Sequence, residues 1–416
     1  MIKKFRKAEQ IVSSFIEHRP LFYSSKITDV FFTFHVSPFT FHVSPFQLMT
    51  QKVPSNLKVR RYPATSNKSL QAWNAGDEYL LEHLQGMDIS NKNIAIYNDR
   101  FGYLSCHLAG FEPQCVVHRK SQETSVLMNA KLNNLSIDNT QFSTPFNSET
   151  SSVDIGLMQI PKSLDLFRYF LHKLSESLSD DGIALCAFMT KYFTPGLLEI
   201  AGDYFEDVEQ SLAQKKSRIL ILKKKKPLPD ASFIERFDYS FDDNHTETLS
   251  QYPGVFSSGQ VDYATQFLLE TFTPTPDELQ IADVGSGNGV ISRAMQIHNP
   301  EATLHLIDDS ILAIESSKLN MRAENAHFHW TDTLEDLEDQ SIDLALSNPP
   351  FHFGHETNIE ISVNLFREVA GLLKANGRFV CVANKHLGYL PHLKKFFRSV
   401  GVLAQNKKFV IYECKK

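Results

Sequence analysis

Cysteine is scarce in this chain: five among 416 residues, at Cys106, Cys115, Cys186, Cys381 and Cys414, and none in a C-x-x-C pair. An odd, scattered set excludes a disulfide framework and a zinc ribbon, and it points to a reducing compartment. Long apolar runs are missing too, with no stretch of about 18 residues, so no membrane-spanning helix is expected. The start, Met1 to His18, is basic but has no compact apolar segment, so a cleaved signal is not expected. No carboxylate–histidine set stands at ligand spacing, and His352 and His355 read as surface residues, so no metal is expected. What is present is ordinary globular composition, 42% hydrophobic and 22% charged, at a length of two or three domains. Such a chain buries large cores without covalent staples.

The net charge of −6 is unevenly spread. Residues 1–48 carry 6 Lys+Arg against 3 Asp+Glu, residues 49–228 carry 21 against 19, and residues 229–416 carry 15 against 26. The acidic C-terminal half is no nucleic-acid surface by itself, so a polyanionic partner has to be held by local patches or by the N-terminal half.

Residues 1–48 differ from the rest. They hold nine of the 32 Phe, and the unit Phe-Thr-Phe-His-Val-Ser-Pro occurs at Phe32–Pro38 and again at Phe39–Pro45. Two copies are too few for a solenoid. Ordinary globular sequence follows Met49, which is the expected true start.

From Leu57 the pattern is globular. Spacing predicts a helix over 72–84, strands over 93–97, 153–159 and 183–188, a helix over 164–178 stopped at Asp180-Asp181-Gly182, and a strand over 218–222. That strand closes in Lys223–Lys226, which reads as a solvated strand end or an RNA-gripping patch, and the prolines after it suggest a boundary. The second half alternates strands (281–284, 303–307, 326–330, 342–347, 378–383, 409–413) with helices (289–298, 310–323, 361–374, 390–400). Such alternation argues an α/β fold, a parallel sheet covered by helices on both faces. Ser152–Pro161 (SVDIGLMQIP) and Ser341–Pro350 (SIDLALSNPP) share their pattern and the order of elements after them, so one α/β unit is expected to be duplicated.

The segment Asp283-Val284-Gly285-Ser286-Gly287-Asn288-Gly289 ends a strand and opens a helix, the edge at which open α/β sheets bind ligands. Its spacing is not that of a dinucleotide site, and no Lys-Ser/Thr follows as in a phosphate-clasping loop. A carboxylate at Asp283 disfavours a pyrophosphate and favours an ammonium. Asp308 ends the next strand, where it can accept both hydroxyls of a ribose, and Asp332 follows the third, where it can meet an adenine amine. Together these resemble the S-adenosylmethionine site of class I methyltransferases. Phe256, in Val255-Phe256-Ser257 ahead of the first strand, reads either as a cover for that pocket or as a core aromatic, with Asp262 as a helix N-cap.

Asn348-Pro349-Pro350-Phe351 follows an apolar strand. Two prolines fix φ and remove two N–H groups, which leaves carbonyl acceptors without competing donors. The Asn348 carboxamide adds another acceptor and Phe351 a flat face. This resembles the tetrapeptide of methyltransferases that act on planar amines: adenine N6, guanine N2, cytosine N4 or a glutamine amide.

Taken together, the chain resembles the bacterial ribosomal RNA guanine-N2 methyltransferases of duplicated architecture, and their large-subunit branch in particular. Arg61-Tyr62-Pro63-Ala64-Thr65, Asp77-Glu78-Tyr79-Leu80-Leu81, Val382-Ala383-Asn384-Lys385-His386-Leu387 and Asn406-Lys407-Lys408-Phe409-Val410 carry that likeness. The resemblance covers about residues 57–416. It implies two tandem class I methyltransferase (Rossmann-like) domains: a degenerate one at 49–226 that places RNA, a linker at 227–252, and a catalytic one at 253–416, with 1–48 unmatched. The first half has Asn98-Asp99-Arg100-Phe101-Gly102 in place of the Gly-rich loop and Gln159-Ile160-Pro161-Lys162 in place of the tetrapeptide. The implied activity is methylation of guanine N2 in 23S ribosomal RNA, at a single-stranded or loop region, in the cytoplasm, with no membrane partner. Arg60, Arg61, Arg119, Lys120, Lys215, Lys216 and Lys223–Lys226 are candidate RNA contacts, and the solvated strand end stays open for the last four. The 16S RNA, an adenine or glutamine amine, and a non-catalytic RNA-binding module remain open alternatives, with an NAD-dependent dehydrogenase the weakest.

Overall fold

The computed structural model describes residues 56–138, 141–147, 152–257, 259–349, 352, 353, 356, 357 and 359–416. The repeat at Phe32–Pro45, Met49, Pro350, Phe351 and His355 lie outside the described residues.

Strands β1 (Ile94–Tyr97), β2 (Gln114–Val116), β3 (Phe142–Ser143), β4 (Val153–Gln159), β5 (Leu178–Met189), β6 (Phe205–Gln210) and β7 (Ser217–Lys225) form one sheet in the order β3-β2-β1-β4-β5-β7-β6. A hairpin of β8 (Glu235–Asp242) and β9 (His245–Gln251) follows. Strands β10 (Gln280–Val284), β11 (Thr303–Asp308), β12 (Ala326–Trp330) and β13 (Ile342–Ser347) begin a second sheet. The short pair β14 (His352–Phe353) and β15 (Glu356–Thr357) leads on to β16 (Leu373–Asn384), β17 (Ser399–Gln405) and β18 (Phe409–Lys415). The second sheet has the order β12-β11-β10-β13-β16-β18-β17, the first order repeated. Duplication is thus a property of the topology.

Each sheet is mixed, where alternation predicts a parallel one. Five strands are parallel, and the last two pair antiparallel, as in β16 with β18 and β17 with β18. The link from β17 to β18 is too short for a crossover, so the chain can only turn back. This places Phe409 beside Asn384, at the carboxyl edge of the parallel strands. The central strands are apolar because both faces are covered: all four residues of Ile94–Tyr97 are buried, as are Ile281 to Val284.

Helix starts follow local chemistry. The first helix among the described residues runs Ala75–Gln85, later than its apolar spacing suggests, because Asn74 caps it: its side chain accepts from the Gly76 amide and Asp77 accepts from the Asn74 amide. Three expectations are corrected. Asp180-Asp181-Gly182 lies inside β5, after the Leu164–Ser177 helix has ended, so it is not the helix stop. The region 390–400 is helical only over Leu390–Leu393, and its end is already strand β17. Residues 227–252 are no bare linker, because the β8–β9 hairpin packs against the Ile311–Asn320 helix, with the Ser250 amide donating to Asn320. Among the described residues no helix is long and apolar enough to cross a membrane.

Candidate active site

The Gly-rich turn joins β10 to the Val290–His298 helix. Gly285, Gly287 and Gly289 have φ of 77°, 57° and 80°, the left-handed region that a Cβ resists. The turn is pinned from below: the Gly285 and Ser286 amides donate to the Ile307 carbonyl, and Ser317 Oγ donates to the Gly287 carbonyl. A Cβ at Gly289 would press on Leu306 and Ser317, whereas one at Gly287 would meet nothing within 4 Å. Gly289 is therefore a packing glycine, and Gly287 borders open space.

The three carboxylates are not equivalent. Asp283 is 1% exposed. Its Oδ2 accepts from the Ser292 amide (3.1 Å) and hydroxyl (2.8 Å), which ties the loop to the head of the helix, while its Oδ1 is buried without a protein partner. Burial pushes its pKa up to about 7. Asp308 accepts from the Gly287 amide at 3.0 Å and from the Ser310 amide at 2.8 Å. Its pKa is pushed up to about 6, again chiefly by burial. Asp332 accepts from Thr124 Oγ1 at 3.3 Å, and its Oδ2 is buried and unpartnered.

Asn348 follows β13, and its orientation is fixed from one end. Its Nδ2 donates to Asp262 Oδ2 (3.2 Å) and to Thr265 Oγ1 (3.1 Å), both on the first turn of the Tyr263–Thr271 helix. Asp262 is also that helix's N-cap, accepting from the Ala264 amide at 2.9 Å. With the amino end held, the Asn348 carboxamide presents its oxygen. Pro349 is buried beside it. Sequence spacing gives no hint that a residue 86 positions upstream anchors Asn348. Phe256 is 61% exposed, so it is not the core aromatic of one reading. Nearby, a groove of about 320 Å³ lies between Tyr263, Phe267, Asn406, Lys408 and Phe409.

The first half closes the flank of this site. The Ser121 amide and hydroxyl donate to the two Asp309 oxygens at 2.7 and 2.8 Å, and Arg119 reaches the same carboxylate at 3.4 Å. The Lys120 amide donates to the Asp309 carbonyl, and the Ile311 amide to the His118 carbonyl. Lys120 Nζ lies 5.2 Å from the centre of the Trp330 ring. Burial and the neighbouring Asp332 push the Tyr62 phenol up. Arg119 and Lys120, expected on RNA, are therefore engaged at this seam. Lys215 pairs with Glu78, Lys224 with Asp207, Lys225 Nζ donates to the Leu178 carbonyl and Lys226 Nζ to the Gly202 carbonyl. Lys223–Lys225 are the last residues of β7.

The same frame stands in the first half without the site. From strand end to N-cap glycine, Tyr97 to Gly102 matches Val284 to Gly289, so Arg100 takes the place of Gly287. Ser105, the counterpart of Ser292, donates through its amide and hydroxyl to Asp99 (both 2.8 Å), a carboxylate on the loop rather than on the strand. Gln159 stands where Asn348 does and donates to Asp77 at 2.6 Å, again on the first turn of the preceding helix.

Comparison with known proteins agrees with this architecture. The model of the RLMG N-terminal domain matches residues 48–227, and that of the methyltransferase small domain matches residues 246–413. Ribosomal RNA large subunit methyltransferase G of Shewanella baltica (strain OS185) is 34% identical over 374 residues, covering 86% of this chain and 97% of that protein. The protein of the same name from Psychromonas ingrahamii is 31% identical over 378 residues, with the same coverage of 86% and 97%. The solved structure of a T. thermophilus 16S rRNA N2 methyltransferase in complex with AdoMet and guanosine aligns with a TM-score of 0.68 at 20% identity, covering 80% of this chain and 91% of that one, which shows a shared fold. With two tandem α/β domains, the second of class I methyltransferase fold, the chain belongs to the ribosomal RNA large subunit methyltransferase G family.

Proposed function

We propose that this protein is an S-adenosylmethionine-dependent methyltransferase that acts on the exocyclic N2 amine of a guanine in 23S ribosomal RNA. The observation that carries the reading is the Asn348 carboxamide, held by Asp262 and Thr265 so that its oxygen is presented as an acceptor.

The residues present suit the cofactor. Asp283 Oδ1 and Ser286 Oγ at the end of β10, and Asp332 Oδ2 after β12, are buried polar atoms without protein partners, a pattern that a ligand rich in donors relieves. Open space beside Gly287 admits a ligand that a side chain would exclude. Asp308 is assigned the ribose hydroxyls, Asp332 the adenine amine, and Phe256 the cover of the pocket. Asp283, whose Oδ1 has no protein partner, is assigned the ammonium end of the ligand. When bound, the sulfonium supplies an electrophilic methyl group.

The chain's own work lies on the amine. A guanine N2 is a poor nucleophile because its lone pair is delocalised into the ring. Asn348 Oδ1 and the Pro349 carbonyl accept hydrogen bonds from its two hydrogens, which favours a pyramidal nitrogen whose lone pair is localised out of conjugation with the ring. The remaining gain is proximity and orientation. Nitrogen gains the methyl carbon and releases one proton to solvent, so no strong general base is needed. Phe351 is assigned the base face and Pro350 the rigid turn. The target base has to leave its stack, which favours a single-stranded or loop region. Such a substrate places the protein in the cytoplasm.

Incubating the protein with labelled cofactor and 23S RNA, then resolving the nucleosides by mass, tests the reading. N2-methylguanosine supports it, and N6-methyladenosine or an unmodified digest contradicts it. Absence of cofactor binding by folded protein in calorimetry favours the non-catalytic alternative.

A further inference from the structure

Arg61-Tyr62-Pro63-Ala64-Thr65 precedes the first sheet, yet the contacts around it reach the second half. The segment is fixed at both ends. On one side the Arg60 amide donates to Asn129 Oδ1 at 2.8 Å, and Asn129 Nδ2 donates back to the Arg60 carbonyl at 2.9 Å. Lys58 and Asn133 repeat that exchange at 2.9 and 2.8 Å. Asn129 belongs to the Lys120–Leu132 helix of the first half, and Asn133 caps its end. On the other side the Ser66 amide donates to the two Glu360 oxygens, each at 3.2 Å. Glu360 stands in the first turn of the Ile359–Leu372 helix of the second half. The chain between is a strap tied to one helix of each half, and Tyr62 lies within it.

The strap passes Asp332, the residue assigned the adenine amine. The Tyr62 phenol is held above its ordinary value by burial first, then by hydrogen bonding to Asp332 and by the charges of Asp332, Glu368 and Asp309. Thr124 Oγ1 donates to Asp332 Oδ1 at 3.3 Å, from the same helix that holds Arg60. Thr124 follows Ser121 by one turn, so one face of that helix meets Asp309 with Ser121 and Asp332 with Thr124. Two hydroxyls thus approach Asp332, and both come from the half that lacks the cofactor loop.

Two hydroxyls on one carboxylate have a chemical consequence. A carboxylate offers about four acceptor sites. Donors on some of them fix its rotation, and the sites left over accept from a ligand N–H. Adenine presents an amino group there. Hypoxanthine presents a carbonyl oxygen in the same place, and acceptor would meet acceptor.

We infer that the first half completes the adenine end of the cofactor site: Tyr62 and Thr124 are positioning residues that hold Asp332 toward the amino group and make the site select adenine. The inference rests on the cofactor reading and the Asp332 assignment given above.

The test is calorimetry of the full chain with two ligands, S-adenosylhomocysteine and its hypoxanthine counterpart S-inosylhomocysteine. The wild type is expected to prefer the adenine ligand by about tenfold or more. Asp332→Asn is expected to lose that preference, because a carboxamide can turn its amino end to the hypoxanthine oxygen. Tyr62→Phe and Thr124→Val are each expected to narrow it about two- to tenfold, chiefly through weaker binding of the adenine ligand. Thr124→Ser keeps the hydroxyl and is expected to retain the wild-type ratio. Thermal unfolding reports that each variant is folded. Equal losses for both ligands in Tyr62→Phe and Thr124→Val, with the ratio unchanged, would reduce the strap to a packing role and overturn the inference. A wild type that binds both ligands equally would cancel the Asp332 assignment and the inference with it, whereas a wild type that binds neither would sink the cofactor reading itself.

Discussion

Asn348 donates its amide hydrogens to Asp262 at 3.2 Å and to Thr265 at 3.1 Å, so a helix cap 86 residues upstream sets which end of the carboxamide faces outward. Asn348→Ala is expected to lower turnover by about a hundredfold or more while cofactor affinity stays within about twofold, as for loss of one preorganised polar group at a reacting centre. Steady-state kinetics and calorimetry on the same preparation separate the two effects. Retention of most activity would remove the acceptor pair from the account.

Thr265 and Asp262 act through Asn348 and are expected to behave as positioning residues. Thr265→Val is expected to lower kcat several-fold with an unchanged KM for cofactor. Asp262→Ala carries a second effect, the loss of a helix cap, which costs about 1 kcal/mol in stability. Asp262→Asn keeps a cap acceptor and is expected to recover most of that stability in a denaturant titration.

The Asp308 carboxylate holds the Gly287 amide and is assigned the ribose. Removing hydrogen bonds to a charged group costs about 1.5–3 kcal/mol, so Asp308→Ala is expected to weaken cofactor binding on the order of tenfold to a hundredfold. Wild-type affinity by calorimetry would cancel the assignment.

Protonation of the site carries a sign that can be checked. Burial raises Asp308 to about 6 and Asp283 to about 7, so both tend to be neutral at low pH. Their raised values mean that the native state holds protons the unfolded chain has lost. Ligand-free stability contributed by these groups is therefore fully present below the ordinary carboxyl pKa and falls as pH rises toward 7. A cationic ligand favours the charged carboxylates, so cofactor affinity is expected to rise between pH 5.5 and 7.5, on the order of the shifts involved, with protons released on binding. Calorimetry in buffers of different ionisation enthalpy measures that release, and proton uptake would contradict it.

The seam between the halves makes its own prediction. Ser121 donates twice to Asp309, the neighbour of Asp308. Asp309→Ala is expected to cost about 1–3 kcal/mol in stability and to weaken cofactor binding although Asp309 is not assigned a ligand contact. A loss of stability without a loss of affinity would confine the seam to a packing role.

The strand ends were legible because apolar runs bounded by glycine, asparagine and proline have one reading in an α/β chain. The loop glycines, Asp283, Asp308, Asp332 and Asn348 could be singled out for the same reason, since a parallel sheet concentrates its polar residues at the carboxyl edge. Extents were less legible. β5 and β16 each run 12 residues and absorb turn-like Asp-Gly and Asn-Gly pairs as irregularities of register. Local sequence does not reveal that Lys225 and Lys226 reach backbone carbonyls, so the lysine run at 223–226 keeps two readings at that level. The anchor of Asn348 and the Ser121–Asp309 seam both join segments far apart in the chain, where no periodicity reports contact.

The most direct measurement is methyl transfer from labelled cofactor to protein-free 23S RNA, 16S RNA and assembled subunits, with nucleosides resolved by mass. N2-methylguanosine in 23S RNA is the predicted result. Label confined to 16S RNA would keep the site chemistry but contradict the proposed substrate, and no label on any of them would contradict the central claim that this site methylates ribosomal RNA.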